Sequence, residues 1–140
     1  NVVMPLNYDD LEMAVEFASF DSLGESEAYI CVETGQIYLS SDAVDVELPD
    51  DLDEEGKYVL VPSKRDLGIG MPLVLDFVAD RLPSDLESVR SYFRSRGAYT
   101  KYKALLEERN ILEQWYEYEQ ESIKQALLSW CQEHALDVSI

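Results

Sequence analysis

Cys131 and His134 stand three residues apart, a spacing that puts two side chains on one face of a helix. Thiolate and imidazole are zinc donors, but a structural zinc takes four of them. The chain has one further cysteine, Cys31, and no further histidine, so this pair is half a site at best. His134 is read instead as a solvated residue on a helix surface. A second constellation is acidic. In DLDEEGKYVLVP, Asp51, Asp53, Glu55 and Gly56 fall at positions one, three, five and six of a calcium loop. The bidentate glutamate needed at position twelve is replaced by Pro62, so loose counterion attraction is expected there and not a specific site. The Gly68–Gly70 stretch lacks the GK[ST] ending of a phosphate loop. No Ser–His–acid or Cys–His arrangement emerges. With 29 acidic residues, some pair of carboxylates is always available, so such a pair does not point to acid–base chemistry. The expectation is a protein that is not an enzyme and carries neither metal nor cofactor.

The most unusual local feature is FRSRGAYTKYK, Phe93 to Lys103. Between Arg90 and Lys103 the chain holds five bases and no acid, inside a protein of formal net charge -18. Seven of the 15 aromatic residues (Tyr92, Phe93, Tyr99, Tyr102, Trp115, Tyr116 and Tyr118) fall in the same region. Tyr99, Tyr102 and Leu106 share one helical face, and Lys101 and Lys103 point elsewhere. Two readings follow. Arg94, Arg96, Lys101 and Lys103 beside exposed Tyr99, Tyr102, Trp115 and Tyr116 would hold phosphates and stack bases. In the favoured reading the aromatics are core, and the bases are neutralised internally by the acidic half.

The rest of the charge is equally lopsided. Residues 1 to 56 hold 16 acids and no Lys or Arg, and the remaining 84 residues are nearly balanced, at -2. Such an asymmetry sets up a field that draws basic partners to one pole and anions to the other.

The elements that must position these groups read as α+β in one domain over 1–140. Its length and its 46% hydrophobic content support a core without a staple or metal. Asn7 caps a first helix, with Asp9 and Asp10 in its first turn. AYICVE and QIYLSS flank Thr34-Gly35 as a hairpin. A loop, or a ragged edge strand followed by a loop, spans the acidic region around 42–56. KYVLVPS is a third strand, ended by Pro62. Met71, Val74, Leu75, Val78, Ala79 and Leu82 make a helical stripe, with Pro72 in its first turn. SDLE at Ser84–Glu87 is a capping box that opens a helix, and Gly97 stops it. Ala98 to about Arg109 is another helix. Ile111 to about Ala135 is a long helix or two with a bend, with a break or an exposed middle favoured where Glu119 and Ser122 interrupt the stripe. The sum is a small antiparallel sheet, a hairpin plus one strand, packed against about five helices, with a helical C-terminal half. No apolar run reaches the roughly 18 residues of a membrane span, and NVVMPLNYDD has no signal-peptide pattern. Cys31 and Cys131 are expected as reduced, buried thiols in a cytoplasmic protein.

The order YVLVPS, Phe77, RGAYTKYK, WYEYE (Trp115–Glu119), SWC (Ser129–Cys131) resembles the bacterial uncharacterised protein family 0158 over most of the chain. Arg96, Gly97, Lys103, Trp115 and Tyr116 match its pattern, and Tyr99 matches it as an aromatic. Tyr99 and Tyr102 stand where the family carries Phe, and Ala104 where it carries Asp. The resemblance implies a small cytosolic bacterial protein and supplies no activity.

The function expected from all of this is a non-enzymatic cytosolic interaction protein whose acidic N-terminal half engages a basic protein. Glu47, Asp50, Asp51, Asp53, Glu54 and Glu55 are the candidate contact residues. In a sharper version these carboxylates mimic the phosphates of a nucleic acid. One alternative is nucleic-acid binding through the basic segment 90–103, which the acidic half would oppose within a Debye length of about 8–10 Å. The other is an enzyme with a carboxylate site. No membrane partner is expected.

Overall fold

The computed structural model describes residues 6–19, 26–41 and 48–139. The chain separates into two compact units, residues 1–67 with 126–140, and residues 68–125.

In the first unit, β1 (Leu6–Asn7) runs straight into α1 (Tyr8–Ser19). Asn7 is the hinge: its side-chain oxygen accepts the backbone N–H of Asp10 at 3.1 Å, which satisfies one orphan donor of the first turn. Leu11, Ala14 and Val15 form the buried stripe of α1, which packs on β2 (Glu27–Cys31) and β3 (Ile37–Ser40). β4 (Tyr58–Leu60) completes an antiparallel sheet in the order β3-β2-β4, with β2 in the middle. The β2–β3 hairpin forms at Gly35, which takes φ 76. Its loop is five residues long, Val32 to Gln36, and not a two-residue turn. Gly35 N–H closes it by donating to the Cys31 carbonyl at 2.8 Å. A serine hydroxyl then ties the segment after β4 to α1. Ser19 Oγ accepts the Lys64 N–H at 2.8 Å, and the Lys64 ammonium lies 2.7 Å from Glu16. β5 (Val138–Ser139) pairs in parallel with β1. Cys31 and Cys131 are buried free thiols, and burial pushes the Cys131 thiol up.

The second unit is helical: α2 (Met71–Arg81), a short 3-10 turn at Pro83–Asp85, α3 (Leu86–Tyr92), α4 (Ala98–Glu108) and the first part of α5 (Leu112–Glu133). Its core joins Val74, Phe77 and Val78 of α2 to Val89, Tyr102, Leu105, Leu106 and Trp115. The buried stripe of α2 is therefore centred on Phe77, and Met71 and Ala79 lie outside it.

Three expectations about helix ends change. The SDLE box does not form: the residues from Pro83 to Asp85 coil into the 3-10 turn, and α3 starts at Leu86 without a side-chain cap. Gly97 does not stop α3, which ends at Tyr92; in the left-handed region (φ 75, ψ 22) it opens α4. α5 is one uninterrupted helix of 22 residues. Glu119 and Ser122 are partly covered and interrupt the stripe without breaking the backbone.

Both α4 and α5 end in the same six-residue closure. Ile111 N–H reaches the Leu106 carbonyl and Asn110 N–H that of Glu107; Leu136 reaches Cys131 and Ala135 reaches Gln132. In each the left-handed residue is not glycine: Asn110 at φ 61 and Ala135 at φ 54.

Candidate interaction surfaces

Residues 48–57 carry the described part of the acidic segment, and Glu47 lies outside the described residues. The backbone is wound into successive turns, Leu52 N–H to Pro49 O, Glu54 N–H to Asp51 O and Lys57 N–H to Glu54 O, with Gly56 at φ 81. Asp51 anchors them. Its carboxylate accepts the Tyr58 hydroxyl at 2.8 Å and the Lys57 ammonium, and the ammonium sits 3.9 Å from Glu54. The Lys57 and Tyr58 hydrogen bonds hold the Asp51 carboxyl below its ordinary value, and Asp51 in turn pushes Lys57 up. The same hydrogen bond, helped by burial, pushes the Tyr58 phenol up to about 12. Asp51 is thus occupied in holding the turn to the start of β4. Asp50, Asp53, Glu54 and Glu55 are exposed, and of these only Glu54 has an ion-pair partner among the described residues.

The basic segment sits where α3 gives way to α4. Three backbone bonds that each span three residues, from Phe93, Arg94 and Ser95 to Arg90, Ser91 and Tyr92, carry the chain through turns toward Gly97. Arg90 pairs with Glu87 at 3.0 Å on its own helix. Lys101 donates to Ser95 Oγ at 3.4 Å, and the Lys103 ammonium lies 5.7 Å from the Tyr116 ring centre. Arg94 and Arg96 are exposed and have no partner among the described residues. Among the described residues the one ion pair of the patch is Arg90 with Glu87 of its own helix, which is not the expected neutralisation by the acidic half.

The aromatics divide. Tyr102 and Trp115 are buried and meet edge to face, so they are core and not stacking platforms. Tyr99, which shares a helical face with Tyr102 in the sequence, lies at the edge: it is 42% exposed and packs edge-on against Phe93 at 5.2 Å. Burial first, and the charge of Glu119 second, push the phenols of Tyr99 and Tyr102 up. The surface part of the patch is Arg94, Arg96, Tyr99, Lys101, Lys103 and Tyr116.

A third cluster escaped the sequence reading. Tyr29, Tyr38 and Tyr58 lie on one face of the β3-β2-β4 sheet. Their period-two placement among apolar residues was the available signal. Only the register, which depends on the hairpin loop length, brings them together.

Among the described residues no cluster of three or more His, Cys, Asp or Glu could hold a metal, and no helix is long and apolar enough to cross a membrane. No family model matches the chain, and no solved structure does. The chain is similar to UPF0158 protein PA5073 of Pseudomonas aeruginosa, at 24% identity over 134 residues that cover 94% of this chain and 84% of the relative. That similarity supports the resemblance of this chain to the uncharacterised protein family 0158.

Proposed function

We propose that the chain is a non-catalytic cytoplasmic interaction protein whose acidic unit docks a basic protein. One observation carries the reading. The unit of residues 1–67 and 126–140 holds 19 acids against three bases, Lys57, Lys64 and Arg65. Two of the three are already paired with its own Asp51 and Glu16. The surplus of negative charge has little left inside the unit to neutralise it, while Asp50, Asp53, Glu54 and Glu55 face solvent on a turn that Asp51 holds in shape. A field of that size steers a basic partner and speeds its encounter, with an affinity that falls as salt rises.

The test is capture from native bacterial lysate at about 50 mM salt, eluted at about 500 mM, a range over which surface charges become strongly screened. The wild type is run beside a neutralised variant (Asp50→Asn, Asp53→Asn, Glu54→Gln, Glu55→Gln), with and without nuclease. A protein released by salt in both arms, and lost with the variant, is the expected result. Capture that is unchanged by the variant overturns it.

A second reading rests on Arg94 and Arg96, exposed and without ion-pair partners beside the half-exposed ring of Tyr99. That arrangement suits a phosphate backbone with one stacked base. Nucleic acid in the eluate, lost on Arg94→Glu/Arg96→Glu, selects it.

A further inference from the structure

The β3-β2-β4 sheet has two unlike faces. Ala28 and Ile30 of the middle strand point to one face and are fully buried on the α1 side. Tyr29 and Cys31 alternate with them and point to the other. Residues directly opposite in an antiparallel ladder share a face. Tyr38 of β3 and Leu60 of β4 both stand opposite Tyr29, and Tyr58 stands opposite Cys31. This second face is therefore built from Tyr29, Tyr38, Tyr58 and Leu60 around Cys31, which is itself buried. The rings of Tyr38 and Tyr58, on the two outer strands, approach across the middle strand to 6.1 Å, at an interplanar angle of 73°. Yet the face is not closed over: Leu60 is 53% exposed and the three tyrosines are only partly covered.

Its rim is anionic. Glu27 accepts the Tyr29 hydroxyl at 3.0 Å, and Asp51 accepts that of Tyr58 at 2.8 Å. The Tyr29 phenol is pushed up by burial first, and then by its bond to Glu27 and the charges of Glu27 and Asp53. Flat rings flanked by carboxylates suit a guanidinium. It stacks on an aromatic face, sheds its water more readily than an ammonium, and offers a fork of donors to a carboxylate. Phosphate would meet carboxylates here, and the one ammonium beside them, that of Lys57, is already paired with Asp51. The chain's own Lys57 behaves as a compact ammonium should: it sits between the carboxylates of Asp51 and Glu54.

We propose that the tyrosine face of the sheet is the docking surface, and that it takes arginine side chains of the basic partner. The inference rests on the proposed function and adds the partner's chemistry to it.

The probes are fluorescent octa-arginine and octa-lysine peptides, titrated at low salt against the full chain. Three further proteins are compared: Tyr29→Leu/Tyr38→Leu, which keeps apolar cover but removes the rings; Leu60→Lys, which puts a cation on an exposed position of the face; and the neutralised turn variant. Tyr58 is left intact because Asp51 depends on it. Circular dichroism confirms that each is folded, and Leu60→Lys carries the test if the double variant unfolds. Octa-arginine should bind the wild type roughly fivefold more tightly than octa-lysine, and the preference should fall to below about twofold in both face variants. A wild type without the preference, or a preference that survives in both face variants, overturns the docking surface. If both peptides still bind there and lose affinity with the neutralised turn, the acidic-unit reading stands alone. If neither peptide binds the wild type, both fall.

Discussion

The rings of Tyr102 and Trp115 meet edge to face, 5.1 Å between centres and 84° between planes, and each buries its polar atom without a hydrogen-bond partner among the described residues. The geometry is favourable for the π systems, and Phe77 adds a second edge contact to Trp115 at 5.4 Å. The orphaned hydroxyl is the cost, since burying an unpaired polar group loses about 1–3 kcal/mol of solvation. Tyr102→Phe keeps the ring and removes the unpaired group. We expect it to be neutral or up to about 1 kcal/mol more stable by urea unfolding at unchanged m-value. A loss above about 1 kcal/mol would mean that the hydroxyl is satisfied in the folded protein.

The Asp51 anchor makes a pH prediction whose sign is fixed. The folded pKa of Asp51 lies below its ordinary value, foremost through Lys57 and then Tyr58. Its contribution to stability is therefore complete above the unfolded carboxylate range, about pH 4, and fades as pH falls through the depressed value. Lys57 is raised by Asp51, so its share persists through neutral pH and is lost only as pH climbs beyond the ordinary lysine range. Tyr58, raised to about 12, likewise holds its proton until strongly alkaline pH. Asp51→Asn should lower the melting temperature relative to wild type by more at pH 7 than near pH 2. A difference that stays constant between those two pH values would sink the idea that an ionised Asp51 holds the turn.

What the sequence disclosed and what it withheld separate along physical lines. Periodicity reports which faces are apolar, so the five α-helices, the three antiparallel strands and the core role of Trp115 were legible. Asn7 was legible as a cap because an Asx side chain bonds locally, within three residues. Gly97 was misplaced because the left-handed conformation it favours can close one helix or open the next, and its type alone does not choose. The missing break in α5 has a similar origin: polar residues at Glu119 and Ser122 weaken the stripe, but backbone hydrogen bonds do not need it. The two surfaces differ most. That Arg94 and Arg96 are unpaired, and that Asp51 is occupied, depends on contacts no spacing rule encodes. The tyrosine face depends on register, which a single residue of slip would invert.

Two helix ends should respond in opposite directions to the same chemistry. Gly97 holds φ 75, and a Cβ there would meet nothing within 4 Å, so Gly97→Ala carries only the backbone penalty of the left-handed region. That is about 1–2 kcal/mol. Ala135 already carries the penalty at φ 54, in the closure of α5. Ala135→Gly should recover roughly 1 kcal/mol. Chemical denaturation of both variants checks the pair. Equal signs would show that the backbone conformation at one of the two ends differs from the one described.

The last contrast sets two arginine sites against each other. Arg94 and Arg96 point into solvent without an ion-pair partner among the described residues, so Arg94→Glu/Arg96→Glu should fold normally and stay within about 0.5 kcal/mol of wild type. Arg109 is different. Its guanidinium grips Asp85 with two bonds of 3.1 Å each, and the Asp85 side chain is only 16% exposed. That contact pulls the Asp85 carboxyl below its ordinary value. Arg109→Ala leaves the largely covered carboxylate unpaired, so it should destabilise the helical unit at neutral pH. The deficit should shrink as pH falls through the depressed Asp85 value, because a protonated Asp85 no longer needs the partner. Thermal unfolding of the two variants across pH separates the cases. If the double reversal unfolds the protein while Arg109→Ala is silent, then the basic segment is structural after all, and the surface reading of Arg94 and Arg96 fails with it.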